Sequence, residues 1–513
     1  MGLSPARGVT SRSGAIQPPV LSDGAVSRTR FGYRSAVQWF VRVRYARTAA
    51  RQYKPVGAVC PPVSPDLDTP GELAGLDLRN RLYRAPLLEC AGDGPDAVDR
   101  LLDELEPAAA AGVGLICQGA MPVRREGGRV APSMTHLAGS ERADDLRRLT
   151  DAIHDHGARI VAQLDHGGIR SLETWHRSYR AENPGLQQLA VSRPPRLLGL
   201  AARVGLLNYD LDVLSTADVY ELAADFGRSA GHAAAAGYDG VHLAGANMGI
   251  VQQFLSPYYN RRSDEFGGSF EGRVRFLELV HDEIRERVGD LPVMTKVPVE
   301  TAAPPPIRPR LSLAAGLRIA ERAERIGFDA VAPVQGSTFW DMSLIRGEHP
   351  ERAWGDERFE ADYAAVFGGR ARARLVAAAN RLQARHYDFE SAWNAALCRR
   401  VREATSLPVL CEGGVRGRRE MDSLLGSACD LVGVGRPFYA EPRLPARLLE
   451  IDTNAASDPA EDPHALCENC NNCAVPQVAG ARGVCRTPSV MREAGELRRA
   501  GAYERSPNDE QDR

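Results

Sequence analysis

The feature that most constrains the fold is an alternation. From Leu76 onward, short apolar runs alternate with segments of helical periodicity, the signature of parallel strands joined by helices. Eight runs qualify as strands: Leu82–Pro86, Gly114–Gln118, Arg159–Leu164, Gly240–Leu243, Pro292–Val297, Ala330–Val334, Pro408–Glu412 and Leu431–Gly435. Stretches such as Glu141–His156 and Thr216–Ala236 read as helices between them. Eight such units predict an α/β chain folded as a closed (β/α)8 TIM barrel, with active-site residues at the C-terminal strand ends. Residues 167–210 and 335–395 exceed ordinary loop length and read as lids or substrate-loop insertions.

At 513 residues, with 43% hydrophobic and 25% charged side chains, the chain suits a soluble globular protein. No apolar run reaches the roughly 18 residues of a membrane span. The net charge of −2 gives no bulk reason to expect nucleic acid. Residues 1–60 are rich in Arg, Ser, Gly and Pro and read as a disordered basic extension, with a transit peptide as the rival. Lys54 and Lys296 are the only lysines, so a lysine ending an apolar strand at 296 is informative where arginine is not. Six of the ten cysteines are scattered, which suits free thiols in a reducing cytoplasm.

The densest chemistry lies in Ala236–Phe276. A strand through His242 and Leu243 gives way to a polar loop holding Asn247, Tyr258, Tyr259, Asn260, Arg261, Arg262, Asp264 and Glu265. Aromatics, charges and glycines packed this closely suggest a shaped site. QFLSPYYNRRSDEFGGSFEGRVRF and DGVHLAGAN resemble the FMN oxidoreductases of the old yellow enzyme superfamily (NADH:flavin oxidoreductases). The likeness is greatest to the branch holding 2,4-dienoyl-CoA reductase and trimethylamine dehydrogenase. It spans roughly residues 70–490, barrel plus cysteine cluster, and it implies FMN as cofactor and NAD(P)H as electron donor.

The resemblance assigns roles at successive strand ends. Ala85, Pro86 and Leu87 stand for the segment beside the flavin ring, and Gly119 lets backbone approach it closely. Gln163, in a match to the family's QLWHAGR, suits the pyrimidine edge because an amide both donates and accepts. Asp165 shares its strand parity and faces the substrate side; His166 reads as a structural hydrogen-bonder. In the fourth strand the family carries a pair of donors for the substrate oxygen. Here the pair reads Ala244 and Asn247, so one donor is lost, and a proton-supplying tyrosine two residues further on is replaced by Gly249. His242, on the same face as Ala244, is either a replacement donor or a core histidine. Lys296 occupies the cation position against the flavin N1–C2 edge. The glycine-rich ends Gly413-Gly414 and Gly435-Arg436 fit a phosphate at the last two strands, where barrels commonly build one. The candidate catalytic set is therefore Asn247, His242, Lys296 and Asp165.

Past the barrel, Cys467, Cys470, Cys473 and Cys485 have the spacing of a [4Fe–4S] cluster, with a four-cysteine zinc site as the alternative. The expected domains are a barrel over 70–455, a cysteine segment over 460–490 and a polar tail over 491–513. The leading function is reduction of an activated alkene or related small-molecule acceptor with NAD(P)H. A second reading is a dehydrogenase whose cluster passes electrons from a small organic substrate to an external electron-transfer protein. A third is a flavin-binding scaffold without turnover. A homo-oligomer is compatible with all three.

Overall fold

A computed structural model describes residues 65–205, 207–301, 310–337, 343–449 and 462–504. The expected basic extension over residues 1–60 lies outside them.

All eight expected strands form. They are β1 (Leu82–Arg84), β2 (Leu115–Pro122), β3 (Arg159–Asp165), β4 (Gly240–Leu243), β5 (Val293–Val299), β6 (Ala330–Gln335), β7 (Leu410–Glu412) and β8 (Leu431–Val434). Neighbours pair in parallel from β1 through to β6, and β7–β8–β1 likewise. The ring closes between β6 and β7 at the Val331–Val409 bridge, where Val331 N donates to Pro408 O at 3.0 Å. The main outer helices are α1 (Ala97–Ala110), α2 (Glu141–Asp155), α3 (Thr216–Ala235), α4 (Phe270–Val288), α5 (Leu313–Ile326), α6 (Ala395–Ala404) and α7 (Arg418–Leu424).

Strand parity divides the apolar residues into two layers. Ile116, Ile160, Ala162, Leu164, Val241, Leu243, Val293 and Val297 face the helices and form the larger core. Tyr83, Leu115, Cys117, Val161, Met294, Leu410 and Leu431 fill the barrel interior. A hairpin, Gly71–Leu73 with Leu76–Leu78, closes the N-terminal end by adding Leu73 and Leu78 to that inner cluster. Register is fixed by a repeated strut. Asp239, Asp329 and Asp430 each accept a backbone amide at the start of a neighbouring strand: Ile160 N (2.8 Å), Val293 N (2.7 Å) and Val409 N (2.8 Å). Gly433 is required by close approach, since a Cβ there would lie 2.3 Å from the Tyr83 ring.

The two long insertions are substantially folded. The first holds short helices and a parallel pair, Gln188–Ala190 with Leu211–Val213. The second holds the helices Glu360–Phe367 and Arg370–Ala384. A further helix, Pro488–Arg499, crosses the boundary expected at residue 490, because Val490 and Ala494 pack on Leu466. Among the described residues no helix is long and apolar enough to cross a membrane.

One buried charge network ties strand ends together. Arg84, fully buried, pairs with Glu89 at 2.9 Å and Glu104 at 2.8 Å, and Glu89 also accepts Gly119 N at 3.1 Å. Burial pushes both carboxyls up, against the pull of Arg84. Removing the cation would leave two buried acids without a countercharge. Arg84→Met should lower stability by about 3–5 kcal/mol in urea unfolding. A change within experimental error would mean that the network is not structural.

Candidate functional site

The C-terminal mouth of the barrel holds a cavity of ≈ 310 Å³. Every residue expected to hold the cofactor lines it: Ala85, Pro86, Leu87, Gly119, Gln163, Lys296, Gly413, Gly414, Gly435 and Arg436. Asp165 and Asn247 line it too. Strand parity explains the convergence, because Gln163, Asp165, Lys296 and Glu412 occupy inward positions of their strands.

His242 does not line the cavity. It sits behind Gln163, its Nδ1 3.0 Å from the Gln163 Nε2, and is only 3% exposed. Burial, and then Lys296, push its pKa down to about 3, so it is neutral. A neutral ring nitrogen that accepts from the Gln163 amide fixes which end of that amide faces the mouth. The structure thus separates His242 from the other three catalytic candidates and leaves it a positioning contact. His166 is also structural: buried and neutral, it accepts Gly168 N at 3.1 Å.

Lys296 is not an isolated cation. Its ammonium is bonded to Glu412, whose other carboxylate oxygen accepts the Tyr83 hydroxyl at 3.2 Å. Lys296 is 3% exposed, so the pair spans the mouth with little water to screen it. Glu412 has the parity to be recognised from sequence, but no motif marked its role.

Asn247 and Met248 both have left-handed backbone, at φ 62° and 65°. That conformation is uncommon for non-glycine residues and needs support. Gln253 supplies it, donating to Met248 O (2.7 Å) and Gly167 O (2.8 Å) while accepting Ile169 N (3.2 Å). Gln252 accepts Met248 N at 2.7 Å. The result leaves the Asn247 Oδ1 buried without a partner. Asp165 is 5% exposed and accepts His166 N at 2.8 Å. Burial raises its pKa to about 6, opposed by Arg170, the His166 amide and Lys296. A Cβ on Gly249 would lie 2.3 Å from Asp165 Oδ1, so this carboxyl fills the space that a larger residue at 249 would need.

The aromatic and charged loop 258–265 does not line the cavity; it is a brace. Asn260 donates to Phe254 O (2.8 Å) and Phe266 O (2.7 Å). Arg262 bonds Val191 O (2.9 Å), Leu214 O and Asp264. Sequence reasoning missed walls supplied from afar: Arg170, Trp393, Asn394, Arg416 and Gln477. Gly413 and Gly414, at φ 112° and 79°, bring backbone against Trp393, where a Cβ on either would lie 2.7 Å from the ring.

The four clustered cysteines, 467, 470, 473 and 485, line one small cavity of ≈ 20 Å³ with Arg436 and Tyr439. Among the described residues no three side chains already stand at metal-ligating geometry. Asn469 and Asn471 take left-handed backbone and turn the chain between the thiols. Burial pushes the Cys473 thiol up to about 12, and Arg436 pulls the other way.

The family model for the NADH:flavin oxidoreductase / NADH oxidase family matches residues 66–307. An NADH oxidase of Thermoanaerobacter brockii is 26% identical over 82% of this chain and 57% of its own. A 4,4'-dithiodibutanoate disulfide reductase of Rhodococcus erythropolis is 27% identical over 85% of this chain and 98% of its own. The chain spans 57%, 32% and 47% of three longer curated relatives. Among solved structures, a 6-hydroxypseudooxynicotine amine oxidase from Pseudomonas geniculata N1 shares the fold, with a TM-score of 0.62 at 22% identity, over 85% of this chain and 55% of its own.

Asp165 yields a test of the site's electrostatics. Its folded pKa, about 6, lies above the ordinary 3.8, so folding disfavours the ionised form. Stability is therefore lost as pH rises from about 4 through about 6 and then levels, by about 3 kcal/mol. Asp165→Asn should raise the unfolding free energy at about pH 8 and leave it nearly unchanged at about pH 4. An equal effect at both would place the carboxyl in water.

Proposed function

We propose that the chain is a member of the old yellow enzyme superfamily and an FMN-dependent oxidoreductase that uses NAD(P)H to reduce an activated alkene or a related small-molecule acceptor. The observation that carries the reading is the convergence of all ten expected cofactor residues on one cavity at the barrel mouth. A reducing cytoplasm suits its buried free thiols, such as Cys90, Cys117 and Cys398.

The residues present fit FMN. The glycine-rich ends of β7 and β8, with Arg436, suit the phosphate, while Ala85–Leu87 and Gly119 suit a flat ring at close range. When bound, FMN supplies hydride transfer at its ring. Gln163, held by His242, orients the ring's polar edge. Lys296 offers positive charge where negative charge builds on reduction, and Glu412 moderates it. Asn247, with an unpartnered buried oxygen, orients the acceptor. Asp165 holds a proton below about pH 6 and stands where the family's tyrosine is missing, which makes it the proton donor of this reading.

A second reading has its own support. Arg436, Tyr439 and Asn469 line both the mouth and the cysteine cavity, so the two sites share a wall. A [4Fe–4S] cluster on Cys467, Cys470, Cys473 and Cys485 would then pass electrons between the mouth and a partner protein. Zinc on the same four thiolates would instead be a structural staple.

Extraction and mass analysis should return one FMN per chain and no FAD. FAD, or no flavin after reconstitution, contradicts the proposal. Lys296→Met should lower the midpoint potential of the bound flavin, and Glu412→Gln should raise it, each on the order of 2–4 kcal/mol; an unmoved potential in both puts the pair away from the ring. Anaerobic preparations should contain iron and acid-labile sulfide that Cys470→Ser removes. Stoichiometric zinc without sulfide would replace the cluster by a staple.

A further inference from the structure

The mouth has two chemically different ends. At the β7–β8 end, Arg416 donates to Cys467 O at 2.8 Å, and Arg436 donates to Arg346 O at 3.0 Å and to Asn471. Both cations line the mouth together with the glycine-rich segments. At the opposite end, the loop after β3 presents Arg170.

Arg170 is an unusual cation. One of its N–H groups donates to Asn247 O, and Trp175 Nε1 donates to Arg170 O at 3.1 Å, so the residue is tied at both ends. Half-buried, it forms no ion pair among the described residues, while Lys296, the buried cation of the mouth, is paired with Glu412. Its nearest acid is Asp165, within electrostatic reach but not in contact. When Asp165 carries its proton, nothing neutralises the guanidinium. Burial lowers its pKa from the usual arginine value, but arginine keeps its proton in proteins. A half-buried cation, fixed at both ends and without an ion-pair partner among the described residues, suits an anion supplied from outside them. A guanidinium with one N–H already engaged still offers a planar edge that suits two oxygens.

We propose that Arg170 anchors a carboxylate of the substrate, so that the enzyme acts on small organic acids whose reducible end points toward Gln163 and Lys296. The proposal rests on the FMN reading of the same mouth, because FMN fills the β7–β8 end and leaves the Arg170 end to the substrate. Asn247, whose backbone carbonyl holds Arg170 and whose side-chain oxygen is free, links the anchor to the reacting end.

Benzoate and benzamide differ in charge at nearly constant shape. Calorimetric titration of the FMN-loaded protein with each should show benzoate binding more tightly, by roughly tenfold or more. Arg170→Met should abolish the preference. Arg170→Lys should weaken benzoate binding but keep the preference, which serves as the reading if the methionine variant does not fold. No benzoate binding by the unmodified protein, or an unchanged benzoate-to-benzamide ratio in Arg170→Met, overturns the proposal. So does a result in which Arg170→Met slows flavin reduction by NAD(P)H with the ratio intact, since Arg170 would then serve the dinucleotide phosphates. FMN content measured on the same samples separates the two levels. Absent flavin defeats the parent reading, whereas a loaded protein without the preference defeats only the anchor.

Discussion

Closure of the strand ring is the constraint on which the rest depends. The Val331–Val409 bridge joins β6 to β7, and this closure brings Lys296 of β5 and Glu412 of β7 to one mouth. The aspartate struts at 239, 329 and 430 fix the register that makes this work. A slip of one residue in any strand would turn its inward side chains outward. Gln163, Asp165, Lys296 and Glu412 face one another only because three strands, β3, β5 and β7, keep the same phase.

Within that frame the site is tuned by pairing and by its absence. Lys296 is held by Glu412, and Glu412 by Tyr83. Among the described residues Arg170 has no such ion-pair partner. Asp165, with its raised pKa, occupies space kept open by Gly249. Glycine at 249 and the carboxyl of Asp165 therefore share one space, which a side chain at 249 would take from the acid.

How much of this could be read from sequence follows from the range of each interaction. The strands were legible because apolar alternation is local, and all eight appear within a few residues of their expected bounds. The residues that line the mouth at the strand ends were legible because they carry glycine or parity signals. What was not legible came from long-range packing. Arg170, Trp393, Asn394 and Gln477 reach the mouth from insertions and from the cysteine segment, and no local pattern gives their direction. The dense loop 258–265 misled in the other direction. Its charges and aromatics brace the β4 loop against the first insertion, since a long irregular segment must satisfy its own backbone. His242 had the parity of a site residue, but Gln163 stands between it and the cavity.

The central claim is that this mouth holds a flavin which nicotinamide reduces. The most direct measurement is anaerobic mixing of the flavin-loaded protein with NADH and with NADPH while the visible absorbance of the flavin is followed. The account predicts full bleaching by at least one of the two at stoichiometric amounts, and slower bleaching in Lys296→Met. Flavin that stays oxidised with both, in a protein that binds it at one per chain, would contradict an NAD(P)H oxidoreductase. In that case the barrel would be a flavin-binding scaffold, or a dehydrogenase reduced only by its own substrate.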